Sequence, residues 1–348
     1  MNIYIYEQDL SLLDVIDSAS SVLWVPRYYD AGDFEIYLPA TLKNVGLFIE
    51  NRYVMQENSD MVGIIERISI STDADSGNYL TVSGRCLKSL LERRIVWGQT
   101  NLNGKTELAL RKLIEENVIN PTNAARKIPG IVLGEINGFE ETIKMQVTGA
   151  NLLDQIIEIC KAAGIGWKAS YNGSNIVIDF YKGEDRSHSQ SKNPYVVFSP
   201  EFDNLSTTET KIDITALKNV ALIAGEGEGT ARITTTIGSS AGLNRREMYV
   251  DARDISSNDG AISSSEYLEL LKNRGNEKMA EAHETLSITG ETLEGYGFEL
   301  NKDYFLGDVV TISNEYGIRA NSRIIEIIEC EDEKGRTLLP TFEDWRII

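Results

Sequence analysis

The sequence predicts a β-rich α+β protein built from several domains. Short apolar segments at both ends of the chain alternate at period two between turn residues, which is the pattern of small sheets. A stretch in the middle changes to helical spacing. The length, 348 residues, divides into two to three domains at ~150 residues each. Hydrophobic residues make up 42% and charged residues 25%, the balance of a packed chain, which excludes disorder over most of its length.

The first element begins at once. Met1-Asn2-Ile3-Tyr4-Ile5-Tyr6 has no basic region or signal-peptide core and reads as a strand. Val15 to Asp17 and Val22 to Arg27 are further apolar stretches. The turn Asp30-Ala31-Gly32-Asp33 leads into Phe34-Glu35-Ile36-Tyr37-Leu38, which alternates up to Pro39. Tyr53 to Gln56 and Gly63 to Ile70 follow as strands. A turn over 73–78 precedes a strand from Tyr79 to Ser83, and Gly84 to Leu91 reads as a short helix or turn. This part, 1–97, is expected to be a barrel-like domain.

The texture changes near Gly98. Leu110, Leu113, Ile114 and Val118 have helical spacing, with Thr106 as the cap and Asn120-Pro121 as the stop. Leu152, Leu153, Ile156, Ile157, Cys160 and Ala163 form the apolar stripe of a second helix, which Gly164 closes. Ile165 to Tyr171 and Ile176 to Tyr181 form a hairpin around Asn172-Gly173. Residues 98–185 are thus a small α+β domain. Gly183 to Pro194 is polar and reads as a linker.

In 195–284, Ile212 to Thr215, Asn219 to Ala224 and Arg232 to Ile237 are strand-like. Ser263-Ser264-Ser265-Glu266 is a capping box that starts a helix running to about Glu284, with Gly275 weakening its middle. Residues 285–348 return to strands at Leu286–Thr289, Tyr296–Leu300, Val309–Ser313, Arg323–Glu329 and Thr337–Phe342. They are expected to make a second barrel-like domain.

Charge narrows the function classes. Lys and Arg number 34 against 53 Asp and Glu, a net charge of −19. A nucleic-acid clamp needs cations on its contact face, so stable nucleic-acid binding is not expected. No apolar run approaches the ~18 residues of a membrane helix. Cys86, Cys160 and Cys330 form no CxxC unit, and His188 and His283 are the only histidines, so neither a zinc site nor a histidine-based triad is indicated. No cofactor or metal is expected.

Candidate residues have competing readings. Gly225-Glu226-Gly227-Glu228-Gly229 has the glycine density of a phosphate loop. Its two glutamates would repel an anion, no Lys-Ser/Thr follows, and Ile233 to Ile237 is β-branched, so a hairpin tip is the better reading. Trp24, Tyr28, Tyr29, Phe34 and Tyr37 form either a sugar- or base-stacking platform or the filling of a small barrel, and the filling is favoured. Arg93 and Arg94 call for carboxylate partners, and an intersubunit salt bridge and a solvated pair remain equally open. Paired carboxylates could serve a glycoside hydrolase, but no pair stands out. Cys160 lies on an apolar helix stripe and reads as packing.

Several segments together resemble the siphophage tail-tip hub proteins. They are Trp24 to Pro39, Gly63-Ile64-Ile65-Glu66, Val82 to Ile95, Asn219 to Gly229, and Tyr304 to Ile312, in that order along nearly the whole chain. Within them Trp24, Gly32, Phe34, Gly84, Arg85, Arg93, Arg94, Gly225, Gly227, Gly229, Gly307 and Asp308 are structural or interface candidates, and none is catalytic. The resemblance implies the fold of contractile-phage baseplate hubs and of the hub part of type VI secretion spikes. It also implies a homotrimer in which two barrel-like domains per chain give six similar units. Such a ring would dock on a tail-tube or distal tail protein above and a spike, fibre or tip protein below, at the virion tail tip, after synthesis in the host cytoplasm. Part of the −19 would then line a lumen through which DNA passes without sticking. Relatives often continue into lytic or receptor-binding modules. Here Trp345-Arg346-Ile347-Ile348 follows the last strand directly, so a minimal hub without enzymatic activity is expected. The rival readings are a peptidoglycan-acting glycoside hydrolase and a carbohydrate-binding receptor protein.

Overall fold

Alternating apolar residues build the first sheet. The computed structural model describes residues 2–57, 59–73, 77–292 and 297–343. The first unit holds β1 (Ile3–Tyr6), β2 (Leu12–Ile16), β3 (Ser21–Val25), β4 (Asp33–Pro39), a short helix α1 (Leu42–Leu47), β5 (Tyr53–Gln56), β6 (Val62–Asp73) and β7 (Gly77–Cys86). They pair antiparallel in the order β2-β1-β5-β6-β7-β4-β3. Ile3, Ile5, Trp24, Phe34, Ile36, Leu38 and Val82 fill the space inside. Gly84 lies in β7 and not in a helix. A Cβ there would sit 1.8 Å from the Ile64 carbonyl oxygen, beside the point where the β6–β7 register shifts. A 3-10 helix follows only at Leu87–Arg93.

The next unit comprises β8 (Thr100–Lys105), α2 (Thr106–Ile114), β9 (Ile131–Leu133), β10 (Thr142–Val147), α3 (Leu152–Ala163), β11 (Gly166–Tyr171) and β12 (Ile176–Tyr181). Thr106 is the first helical residue of α2, not its cap. Lys105 holds the cap position with no side-chain bond, and the helix runs on as a π turn to Ile119. α3 follows its sequence pattern: Asn151 caps the start, and Gly164, in the left-handed region at φ 63°, ends it. The β11–β12 hairpin spans four residues. The Asn172 carboxamide oxygen accepts from the Ser174 and Asn175 amides and shapes the turn.

The segment expected as a linker is irregular and is pinned to the C-terminal unit. Asp185 bridges Val309, the Arg186 amide donates to the Val309 carbonyl at 2.7 Å, and the His188 amide donates to the Thr311 hydroxyl at 2.9 Å. Its polar residues are partners of the C-terminal unit, which is why the composition looked like a loop.

Past it come β13 (Val197–Phe198), β14 (Leu205–Asp213), β15 (Val220–Ala224), β16 (Thr234–Ile237), β17 (Glu247–Asp251), α4 (Ser264–Glu281), β18 (Thr285–Thr292), β19 (Val309–Ser313), β20 (Arg319–Asp332) and β21 (Gly335–Phe342). Ser263 caps α4 by accepting from the Glu266 amide, and the helix ends three residues before Glu284. β16, β15 and β17 form a small sheet under α4, with Ile223, Tyr267 and Leu271 in its core. β14 and β18 make a separate two-stranded ribbon. Val196, Phe198, Tyr304, Val310, Ile312, Ile324 and Phe342 form the C-terminal core. Gly297 to Glu299 are not strand, and Leu300 only bridges Tyr304; Tyr296 and 344–348 lie outside the described residues, as does the centre of the 73–78 turn.

β20 joins the two ends of the chain. It pairs with β19 and β21, and through Glu329 to Asp332 it also pairs with β3. The expected two barrels are therefore not separate. Among the described residues they share one 11-stranded sheet, whose path is open from β2 to β13.

Candidate assembly site

Three units meet at Tyr28, which sits just past β3 and is fully buried. Its amide donates to the Ile325 carbonyl of β20 at 2.8 Å, and its carbonyl accepts from the Trp167 amide of β11 at 3.3 Å. Its hydroxyl lies 3.3 Å from the Gly164 carbonyl oxygen and 3.2 Å from that of Tyr181. The ring fits between two glycines: a Cβ on Gly166 would lie 2.0 Å from it, and one on Gly307 2.3 Å. Gly307 also has φ 100°, where side chains are strained. The Arg323 guanidinium lies 5.2 Å from the ring centroid and donates to the Gly307 carbonyl at 2.6 Å.

Lys88 fastens the same segment from beneath. Its ammonium is buried and donates to the carbonyls of Arg27 at 2.7 Å, Tyr28 at 3.2 Å and Asp30 at 3.1 Å, with the Trp167 ring 4.9 Å away. Burial pulls its pKa down to about 8. Trp167 completes the clamp, its indole N–H donating to the Tyr29 carbonyl at 2.7 Å. Burial likewise pushes the Cys86 and Cys160 thiols and the Tyr29 and Tyr181 phenols up, so these groups stay neutral. Asp308 ties in the C-terminal side. It is buried and accepts from the Glu184 and Phe305 amides at 2.7 and 3.0 Å and from Arg186 Nε at 2.7 Å.

The candidates from the sequence fall into three groups. Gly307 and Asp308 belong to the junction. Trp24, Gly32, Phe34 and Gly84 are packing positions of the first unit. Trp24 is only 1% exposed, packs against Phe34 with ring centroids 5.3 Å apart, and gives its indole N–H to Ser59, so it offers no platform to a sugar. Gly32 faces the Val25 carbonyl, and its amide meets Cys86 Sγ at 3.2 Å. Arg85 forms a charge network, bonding Glu66 through two nitrogens at 2.8 and 3.0 Å and Glu92 at 2.6 Å. Among the described residues Arg93 and Arg94 have no ion pair. Arg94 donates to the carbonyls of Arg126 and Arg93, and Arg93 reaches Asn51 at 3.5 Å.

The glycine loop is the tip of the β15–β16 hairpin. The Gly225 amide donates to Ile233, the Glu226 amide to the Tyr267 hydroxyl, and the Glu226 carboxylate accepts from the Ser257 amide. Bonding to Ser257 holds that carboxylate below its usual range. Gly227 and Gly229 take φ 96° and 53°. These amides and this carboxylate are spent inside the unit, which is the opposite of an anion cradle.

Sequence reasoning missed Lys88 and the joint role of Tyr28, Trp167 and Gly166. One signal was present: Lys88 is the lone charge in Cys86-Leu87-Lys88-Ser89-Leu90-Leu91, a run that is otherwise small or apolar.

The surface offers apolar edges. β2 ends the long sheet and pairs only with β1 among the described residues, while exposing Leu12, Leu13 and Val15. Trp97, Phe202, Leu243 and Tyr316 are also well exposed. An open groove of about 480 Å³ runs between β14 and the β19–β20 turn. One carboxylate lines it, Glu315, which accepts from the Thr208 hydroxyl.

The family model for Siphovirus ReqiPepy6 Gp37-like proteins matches residues 2–342. Among solved structures, a tail protein from Neisseria meningitidis MC58 is 15% identical, with TM-score 0.59, covering 98% of this chain and 96% of that one. The 43 kDa tail protein of prophage MuSo2 from Shewanella oneidensis is 13% identical with TM-score 0.59, covering 99% and 98%. A chain of a PdpA–VgrG complex is 9% identical with TM-score 0.50, covering 99% of this chain and 64% of that one. At such identities the likeness is one of fold. No curated protein matches the sequence significantly.

Proposed function

The chain belongs to the Siphovirus ReqiPepy6 Gp37-like protein family and is a phage or prophage tail protein with a baseplate-hub-like fold; from that premise we propose that it forms a homotrimeric hub at the distal tail tip. One observation supports this most. β20 pairs with β3, so the N-terminal and C-terminal β units lie side by side within one chain. Three such chains would place six β units around an axis. A ring of this kind closes through heterologous contacts, for which the bare β2 edge and the other exposed apolar residues are suited. The tube or distal tail protein would sit above and a spike, fibre or tip protein below. The net charge of −19 suits a lumen that repels the phosphate backbone, so DNA could pass without binding. The segments 1–97, 98–185, 195–284 and 285–348 are proposed as the working domains.

We assign the chain no catalytic role. Its family and the similar structures are tail proteins. The receptor reading loses its platform because Trp24 is buried. Electron cryo-microscopy of the intact tail tests the proposal. It should show this chain as a threefold ring at the distal end. Density along the tube, or in side fibres, would contradict it.

A further inference from the structure

The geometry points to a hinged module: residues 214–284 swing on the β14–β18 ribbon and are latched to the 98–185 unit by a polar contact that ionic strength releases. Three observations carry this. The module has its own core, formed by Ala221, Ile223, Val250, Tyr267, Leu270 and Leu271, and no residue of the 98–185 unit contributes to it. Its chain enters and leaves through the two-stranded ribbon. That ribbon is held midway along β14, where Thr208 bonds Glu315 and Asn314 bonds Thr210, and carries the module at the end where Asp213 pairs with Thr285. A two-stranded ribbon outside a larger sheet is weak in bending, and this one has a register shift between Ser206 and Glu209.

The latch is polar in every hydrogen bond and ion pair that crosses it among the described residues. Lys144 of β10 meets Glu269 at 2.7 Å and Glu266 at 3.6 Å, both on α4. Lys278 of α4 meets Glu158 of α3 at 3.2 Å. Gln146 accepts from the Ser256 amide at 2.7 Å, Asn273 donates to the Lys144 carbonyl at 2.9 Å, and Gln99 donates to Asn258 at 3.1 Å. The carboxylates Glu158, Glu266 and Glu269 are half exposed or more, so salt screens them readily. Apolar burial holds the module together, and screened ion pairs with a few neutral hydrogen bonds hold it down. The two respond to different conditions, which is what a hinge needs.

The Ser256 amide reports the latch, and the Ile223 amide, inside the module sheet, reports module folding. Hydrogen exchange of the full chain at 0.05 M and 0.5 M NaCl tests the inference. Exchange at Ser256 is expected to quicken about three- to tenfold at the higher salt, the range that loss of a few exposed ion pairs gives, while Ile223 stays unchanged. Lys144→Ala should produce the same change at low salt, and Lys144→Arg should restore protection. Unaltered exchange at Ser256, or equal acceleration at both amides, would overturn the hinge. The outcome is independent of trimer formation, because it is read on the isolated chain.

Discussion

At the scale of single residues, the buried Lys88 ammonium sets a pH dependence. Its folded pKa is about 8 against the ordinary 10.5, so the unfolded chain binds more protons between those values. Stability should therefore rise from pH 8 to pH 10, by on the order of 2 kcal/mol for a shift of this size. Tyr28, Tyr29 and Tyr181 have raised pKa values, and their contribution fades only above the ordinary phenol range. Thermal unfolding at pH 7, 8, 9 and 10 checks this, and Lys88→Met should flatten the rise. A wild-type profile that falls between pH 8 and 10 would refute the lowered Lys88 pKa. Gly307→Ala tests the junction from the other side. Strain at φ 100° and collision with the Tyr28 ring should together cost about 2–4 kcal/mol, read by denaturant unfolding.

At the scale of elements, α4 shows why a glycine can be needed inside a helix. Propensity alone marks Gly275 as a weakness. In the fold it is buried, and a Cβ there would lie 2.6 Å from Ile223, so the helix rests directly on β15. Glu277, beside the latch residue Lys278, has a raised pKa through burial, eased by Arg274 and aggravated by Glu158. Its neutral form suits the fold, so its contribution is present at acid pH and is lost as pH rises through the raised value. Glu277→Gln should therefore stabilise the chain at pH 7 and have less effect near pH 4, as measured by unfolding in urea. The same contrast of local and distant forces governs what could be read from sequence. β4 and α3 were legible because alternation, helical spacing, a cap and Gly164 are local signals. The pairing of β20 with β3 spans some 300 positions and leaves no local mark. The pinning of the 183–194 segment was not legible because its polar groups bond a distant unit, and composition does not distinguish such bonding from solvation. Thr106 failed as a cap because Lys105 already occupies that position. Of the assembly site, Gly307 and Asp308 came through resemblance, whereas Lys88 is visible only once its three carbonyl partners are assembled around it.

At the scale of the whole molecule, the junction gives the chain its plan. Tyr28 and Trp167 lock the first unit to the α+β unit, Asp308 and Arg323 tie the C-terminal unit to both, and the shared sheet fixes the two β units as neighbours. A rigid pair of adjacent β units with bare apolar edges is a suitable building block for a ring, and the hinged 214–284 module is the part left free to move. Ring formation is the central claim, and native mass spectrometry of tail tips released from purified particles tests it most directly. The account predicts three copies of the chain per tip, a subassembly of three times 38.8 kDa before its partners are counted. One copy per tip, or six, would contradict it.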